Sequence, residues 1–399
     1  MSPSAVAAVD AEAPILRGGG MAAWICLFVG VAAGAVMVWA FVAHPARAFH
    51  SYLTAYAFTL SLVIGSAAFI MMGHAANATW PVAVRRLGEA AAAPTPLLLV
   101  LFAPVVGGLG NLYPWMHPEH YAAPTRRMLE HRQPYMNPGF FAGRALFYLL
   151  VWSLFAWLLR RWSLASDHGS DPERQHVRLR RLSYAGLPIM ALTSGFAAFD
   201  WFMSLAPEFS STMFGALWIA MCLFGGTACI VLLTALARAA GLHSAGPSHV
   251  HALGRLLFAF LIFLGYTSFF QFMLVWIANK PSEAVWYVER SHGAYFWGSV
   301  FLVLGHFFLP FFALLSFGLK RRLSWLAAIA GWCLFSQYLH LHWTITPSSS
   351  ERGFAWLDLI ALLAVLGLTL SFGLWLQRGR LLAPVGDPVY RAALRYRSR

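Results

Sequence analysis

The chain has 399 residues, of which 59% are hydrophobic, 16% aromatic and only 11% charged, with a mean hydropathy of +0.64. A water-soluble domain of this size does not tolerate so little charge, so the composition is that of a polytopic membrane protein. The formal net charge of +13 would suggest nucleic acid in a soluble protein, but here the basic residues sit in short loops between apolar runs, the pattern of topology determinants, and nucleic-acid binding is excluded.

Residues 1–20 are rich in Ala and Pro, end in three glycines and lack a positive leader, so a mobile cytoplasmic tail is expected there rather than a cleaved signal. Ten apolar spans follow, at about 21–43, 52–80, 96–115, 139–159, 183–205, 212–237, 252–278, 292–317, 324–346 and 354–375. Arg85 and Arg86 read as an interfacial anchor after the second span, and Gly107, Gly108 and Gly110 permit close packing of the third. The polar loop 118–138, rich in His and Arg, is either a docking surface for a partner or an ordinary solvated connection. A basic tail, 379–399, closes the chain and is too polar to enter the bilayer. No internal repeat is visible.

Ten spans put both termini on one side. That side then carries 20 of the Lys and Arg residues and the other carries 8, from Arg47 through Arg126, Arg127, Arg132, Arg144, Lys280 and Arg290 to Arg352. The positive-inside rule therefore assigns both termini to the cytoplasm, as expected for a multi-pass protein of a bacterial inner membrane.

Asp200 is the only carboxylate in the fifth span, 183–205, and its Phe, Met and Trp neighbours offer it no hydrogen bond. An intramembrane acid costs several kcal/mol unless it is paired, protonated or hydrated, so it marks a functional site by default. At a helical rise of 1.5 Å per residue, Asp200, Arg144, His340 and Asp358 all fall roughly 10 Å inside the outer ends of their helices. A deeper layer holds Thr193, Ser194, Tyr266, Thr267, Ser268, Gln337, Tyr338 and His306, and His74 with Asn77 reaches the cytoplasmic interface. Together these levels read as a proton path through Asp200, Arg144, His340, Asp358, His74 and His306. The bland alternative is that the hydroxyls cross-link helices and the Asp–Arg pair fixes packing; it is the favoured reading for the hydroxyl layer. His342 reads as interfacial, and lipid headgroups could equally cap His74.

The four cysteines lie within apolar spans and form no ligand cluster, so no disulfide, zinc or iron–sulfur site is expected. Bis-histidine haem ligation would need His306 and His340 at one depth, and the same helical rise separates them by roughly 10 Å. No metal or cofactor is therefore assigned to this chain.

Four blocks, HAANATWPVAVRR at 74–86, YMNPGFFAGRALFYLLVW at 135–152, AAFDWFMSLAPEFSSTMFG at 197–215 and FFQFMLVWIANKPSEAVWYVER at 269–290, together resemble the ActF family. These are the smaller NrfD-like (NrfD/PsrC-like) membrane subunits of bacterial alternative complex III, a quinol:electron-acceptor oxidoreductase. The FDWFMSL run is the most specific part, and the other spans match only in character. The resemblance implies an all-α fold in which residues 51–206 and 212–346 form two four-helix bundles flanked by the first and last helices. It also implies a larger NrfD-like subunit, an iron–sulfur protein and multihaem cytochrome c subunits as partners, with haem c and the iron–sulfur clusters in those partners. Quinol oxidation is then best placed in the larger subunit, and this chain supports assembly and is a candidate for proton movement. One departure is Ser282, where the resemblance implies an acid beside Glu283, so no paired carboxylate is assigned there. The rival classes are a secondary transporter, which needs broken helices and polar groups converging at mid-membrane, and a purely structural scaffold.

Overall fold

The computed structural model describes residues 16, 19–167, 171–242, 245–349 and 353–398. Most of the expected tail 1–20, and Arg352, lie outside these. Among the described residues every regular element is a helix, as apolar runs require when the backbone must satisfy its own hydrogen bonds without water.

Among the described residues nine helices are long and apolar enough to cross a membrane: α1 (Gly20–Ala43), α2 (Pro45–Ala75), α3 (Arg85–Gly107), α4 (Pro138–Asp167), α5 (Pro172–Leu205), α6 (Met213–Ala239), α7 (Pro247–Ala278), α8 (Gly293–Leu315) and, last of the nine, α10 (Trp356–Gln377). Between α8 and α10 runs α9 (Leu323–Ile345), 23 residues long and less apolar because Ser336, Gln337, Tyr338, His340 and His342 interrupt it.

Three boundaries differ from the sequence expectation for identifiable reasons. The third span begins at Arg85 rather than near residue 96, and it is a chain of short helices broken around Pro94, Phe102 and Gly108. Pro96 and Pro104, at the starts of the second and third pieces, remove backbone donors and force the breaks there. The basic segment 160–181 is mostly helix, since α4 continues to Asp167 and α5 starts at Pro172, where the Asp171 side chain accepts from the Arg174 N–H at 3.2 Å. In α8, residues Leu302–Phe308 form a π-helical segment.

The centre of the assembly is α2, 89% of whose apolar window is buried, whereas α8 buries 17%. It packs against α5, α6, α9 and α10. A methyl group added at Gly65 would lie 1.7 Å from the Cys222 carbonyl oxygen, so α2 and α6 cross with their backbones in contact. Small residues permit such approach between helices in an apolar medium, where dispersion replaces the hydrophobic effect as the driving force. At the periphery α1 lies along α10 through Gly30 and Gly367.

The C-terminal segment does not hang free. Leu382, Ala383, Tyr390 and Ala393 are buried, and His249 of α7 lies 2.9 Å from the Ala393 carbonyl. Leu16 exchanges backbone hydrogen bonds with Gly379 and Arg380, so both ends of the described chain lie at one end of the bundle.

Candidate functional site

Asp200, on α5, is fully buried, and its partner is Arg144 of α4. The guanidinium is bidentate: Nε donates to Oδ2 at 2.8 Å and Nη2 to Oδ1 at 3.0 Å, while the Tyr148 hydroxyl donates to Oδ2 at 3.1 Å. Arg144 is oriented in turn by its Nη1 donating to the Tyr135 carbonyl at 2.9 Å, and it lies 3.8 Å from the centroid of the Tyr135 ring. Planar two-point pairing is the strongest form of this contact. Tyr135, in the loop before α4, has its phenol pushed up to about 12, chiefly by burial and then by the Asp200 charge.

Asp358 of α10 is also fully buried, but its partner is Arg47 at the start of α2. Ser51 donates to Asp358 Oδ1 at 2.6 Å, the Ala355 N–H donates to Oδ2 at 2.8 Å, and His342 Nε2 lies 3.3 Å from Oδ2. His342 is thus a buried member of this cluster rather than an interfacial residue. The sequence reading left Arg47 in a loop; burying it requires a carboxylate at the same level, and Asp358 supplies it.

The shared level of Asp200, Arg144, His340 and Asp358, which left open whether they converge, does not bring the four into one cluster. Asp200 bonds Arg144, Asp358 bonds Arg47, and His340 faces His306 with ring centroids 5.3 Å apart. The offset of roughly 10 Å expected between the two histidines from helical rise is not found, since their rings meet between α8 and α9. Depth therefore does not keep these two histidines apart.

At the end that carries the termini, Arg85 and Arg86 are buried rather than interfacial, because Glu89 of their own helix and acids from two other segments enclose them. Glu89 accepts from Arg86 Nη1 at 2.9 Å and from the Ser163 hydroxyl at 2.5 Å, and lies 3.2 Å from Arg85 Nε. Arg86 also pairs with Asp167 of α4, and Arg85 with Asp387 of the C-terminal segment. His74 borders this network, 6.4 Å between ring centroids from His176, whose Nε2 lies 3.2 Å from Asn77 Oδ1. A small cleft opens here among His74, Asn77, Arg85 and His176. Asp387, outside the spans, is held well below the ordinary carboxylate range: burial works the other way, but His176, 4.0 Å off, and Arg85 more than offset it.

The hydroxyl layer behaves largely as the bland reading expects. Thr267 and Ser268 bond carbonyls of their own helix, and Tyr266 is exposed. Three cross-links do join helices: Trp152 Nε1 to Thr193 at 2.8 Å, Gln337 Nε2 to Ser61 at 2.8 Å, and Tyr338 to the Asp358 carbonyl at 2.9 Å. Arg290, in the loop before α8, was not singled out from sequence. It is buried and donates to the Trp286, Trp343 and Thr344 carbonyls at 2.6, 3.1 and 2.8 Å, tying that loop to the end of α9.

The helices and their buried charge pairs define an all-helical protein with several membrane-crossing segments. No protein-family profile matches the chain, and no curated protein is significantly similar to it.

Proposed function

We propose that the chain is an integral subunit of a respiratory quinol-oxidising complex, of the ActF type within alternative complex III, with an NrfD-like fold of ten transmembrane helices. In this reading it supports assembly and conducts protons across part of the bacterial inner membrane, with both termini in the cytoplasm. Its partners would be a larger NrfD-like subunit, an iron–sulfur protein and multihaem cytochrome c subunits. Quinol oxidation and the redox centres would belong to those partners.

Helix pairing supports the fold: α2 packs with α3 and α5, α4 with α5, α6 with α7 and α9, and α1 with α10. Chain ends at one end of the bundle need an even number of crossings, which supports counting α9 as the tenth.

The observation that carries the proton-conducting part is the distribution of buried titratable groups over several levels of the bundle. Asp200 and Asp358 lie toward one end, and His74 with Glu89, Asp167 and Asp387 toward the other. Between them His306 and His340 leave Nε2 and Nδ1, respectively, without a protein hydrogen bond, as does His74 at its Nε2. Buried polar groups of this kind are met by water, and histidine and water together can relay protons. The bidentate geometry of Arg144 on Asp200 favours a second reading, a structural scaffold in which that pair only fixes packing.

Purification from the native membrane tests the proposal. The expected result is stable co-purification with a second NrfD-like protein, an iron–sulfur protein and c-type cytochromes. Isolation of the chain alone, or with partners that carry no redox centre, would contradict it.

A further inference from the structure

The polar loop between α3 and α4 contains a cluster that the proposed function leaves unused. In its sequence, His117-Pro118-Glu119-His120, His117 joins two 3-10 turns, Pro114–Met116 and Pro118–His120, and the other three residues form the second. Pro114 and Pro118 fix φ at the start of each turn, which limits how far the backbone can open. Arg126 holds the turn from outside, its Nη2 donating to the Glu119 carbonyl at 3.1 Å and the Tyr121 carbonyl at 3.4 Å.

Within that frame three side chains converge. His117 Nδ1 is 3.2 Å from Glu119 Oε1, and His120 Nε2 is 4.0 Å from the same oxygen. The two imidazoles stack with centroids 5.3 Å apart and planes 18° from parallel. One donor atom from each residue lies within 4.8 Å of the other two. These residues lie outside the apolar spans, at the start of the stretch rich in His and Arg.

We propose that His117, Glu119 and His120 form a binding site for a divalent transition-metal ion of the zinc class on the loop face opposite the termini. The inference is independent of the proposed respiratory role.

Metal–ligand distances of about 2.0–2.2 Å in a tetrahedral site put ligand atoms roughly 3.3–3.5 Å from one another. The His117–Glu119 separation already matches that, and His120, 71% exposed, has room to rotate and close the remaining gap. Two imidazoles and a carboxylate are the donor set that zinc, nickel and cupric ions favour. Calcium and magnesium prefer oxygen alone, and cuprous ion prefers sulfur. All three ligands fall within four residues, so binding closes only a short loop and orders little chain. Three protein ligands leave one position of a tetrahedral ion open to water or to a side chain from another molecule.

The test uses the full-length chain in detergent, carrying a tag without histidine, stripped with chelator and then titrated with zinc chloride by calorimetry and by equilibrium dialysis with elemental analysis. One saturable zinc per chain is expected, unaffected by millimolar magnesium and weakened on acidification, because protons compete for imidazole. Glu119→Gln should weaken binding at least about tenfold, and His117→Ala with His120→Ala should abolish it. These positions are exposed, and metal-free melting curves of the variants should match the parent. Absence of a saturable zinc in the parent, or equal binding by the double variant, would overturn the proposal.

Discussion

Gly65 on α2 and Gly226 on α6 meet backbone to backbone: a methyl group at Gly226 would lie 2.2 Å from the Gly65 carbonyl carbon, and one at Gly65 would lie 1.7 Å from the Cys222 carbonyl oxygen. The obstacle is main chain, which cannot rotate aside. Gly65→Ala should therefore force the two helices apart at a cost toward the upper end of the usual overpacking range, about 3 kcal/mol. Gly34, beside which a methyl group meets nothing within 4 Å, supplies the control substitution. Thermal unfolding in detergent is the measurement. Equal melting of Gly65→Ala and Gly34→Ala would mean that α2 and α6 do not cross at this point.

Arg47 and Asp358 form the second buried pair, and removing one charge leaves the other unpaired. Asp358→Asn is expected to destabilise the protein by about 3–5 kcal/mol. Adding Arg47→Gln should recover most of that loss, because an amide pair needs no counter-charge. The fraction of extracted protein that elutes monodisperse by size exclusion reports both effects. A double variant no better than Asp358→Asn would show that these two residues are not partners.

The C-terminal segment is held to α3 through Asp387 and Arg85. A carboxyl whose folded pKa is depressed contributes stability above its unfolded value, about 3.9, and loses it only as pH falls through the lower folded value. Docking should thus be unchanged between about pH 5 and 8, and trypsin should cut at Arg391 and Arg395 equally slowly across that window. Asp387→Asn should speed cleavage throughout it. A parent chain that becomes labile on going from pH 8 to pH 5 would contradict this.

Much of the fold is legible in the sequence because bilayer length and the absence of water leave few choices: eight of the long apolar helices lie close to where hydropathy puts them. The third span begins earlier than hydropathy puts it because Arg85 and Arg86 look interfacial until Glu89 of their own helix is joined by Asp167 and Asp387 from two distant segments. For the same reason Asp200 and Arg144 were both legible as buried charges at one level, while Arg47 was not, since hydropathy placed it outside a span. The meeting of His306 with His340 was not legible, because depth counted from the expected ends of two spans carries no information on how those helices are offset against each other.

Topology follows from the charge bias. Reporter fusions after Trp375 and within residues 160–181 should score cytoplasmic, and one within residues 119–132 should score periplasmic. Reversal of the three would invert the proposed orientation, and any mixed result would break the span assignment.

The central claim is that Asp200 takes part in proton movement rather than only balancing Arg144. Asn is nearly isosteric with Asp and still accepts a hydrogen bond from Arg144 or Tyr148, but it cannot take up a proton. If the pair were purely structural, Asp200→Asn would chiefly impair assembly, and Asp200→Asn with Arg144→Gln would restore it. The direct measurement is proton release per quinol oxidised in vesicles holding equal amounts of assembled complex. The account predicts that Asp200→Asn assembles but loses proton release or turnover; an unchanged ratio and rate would contradict it and leave the scaffold reading.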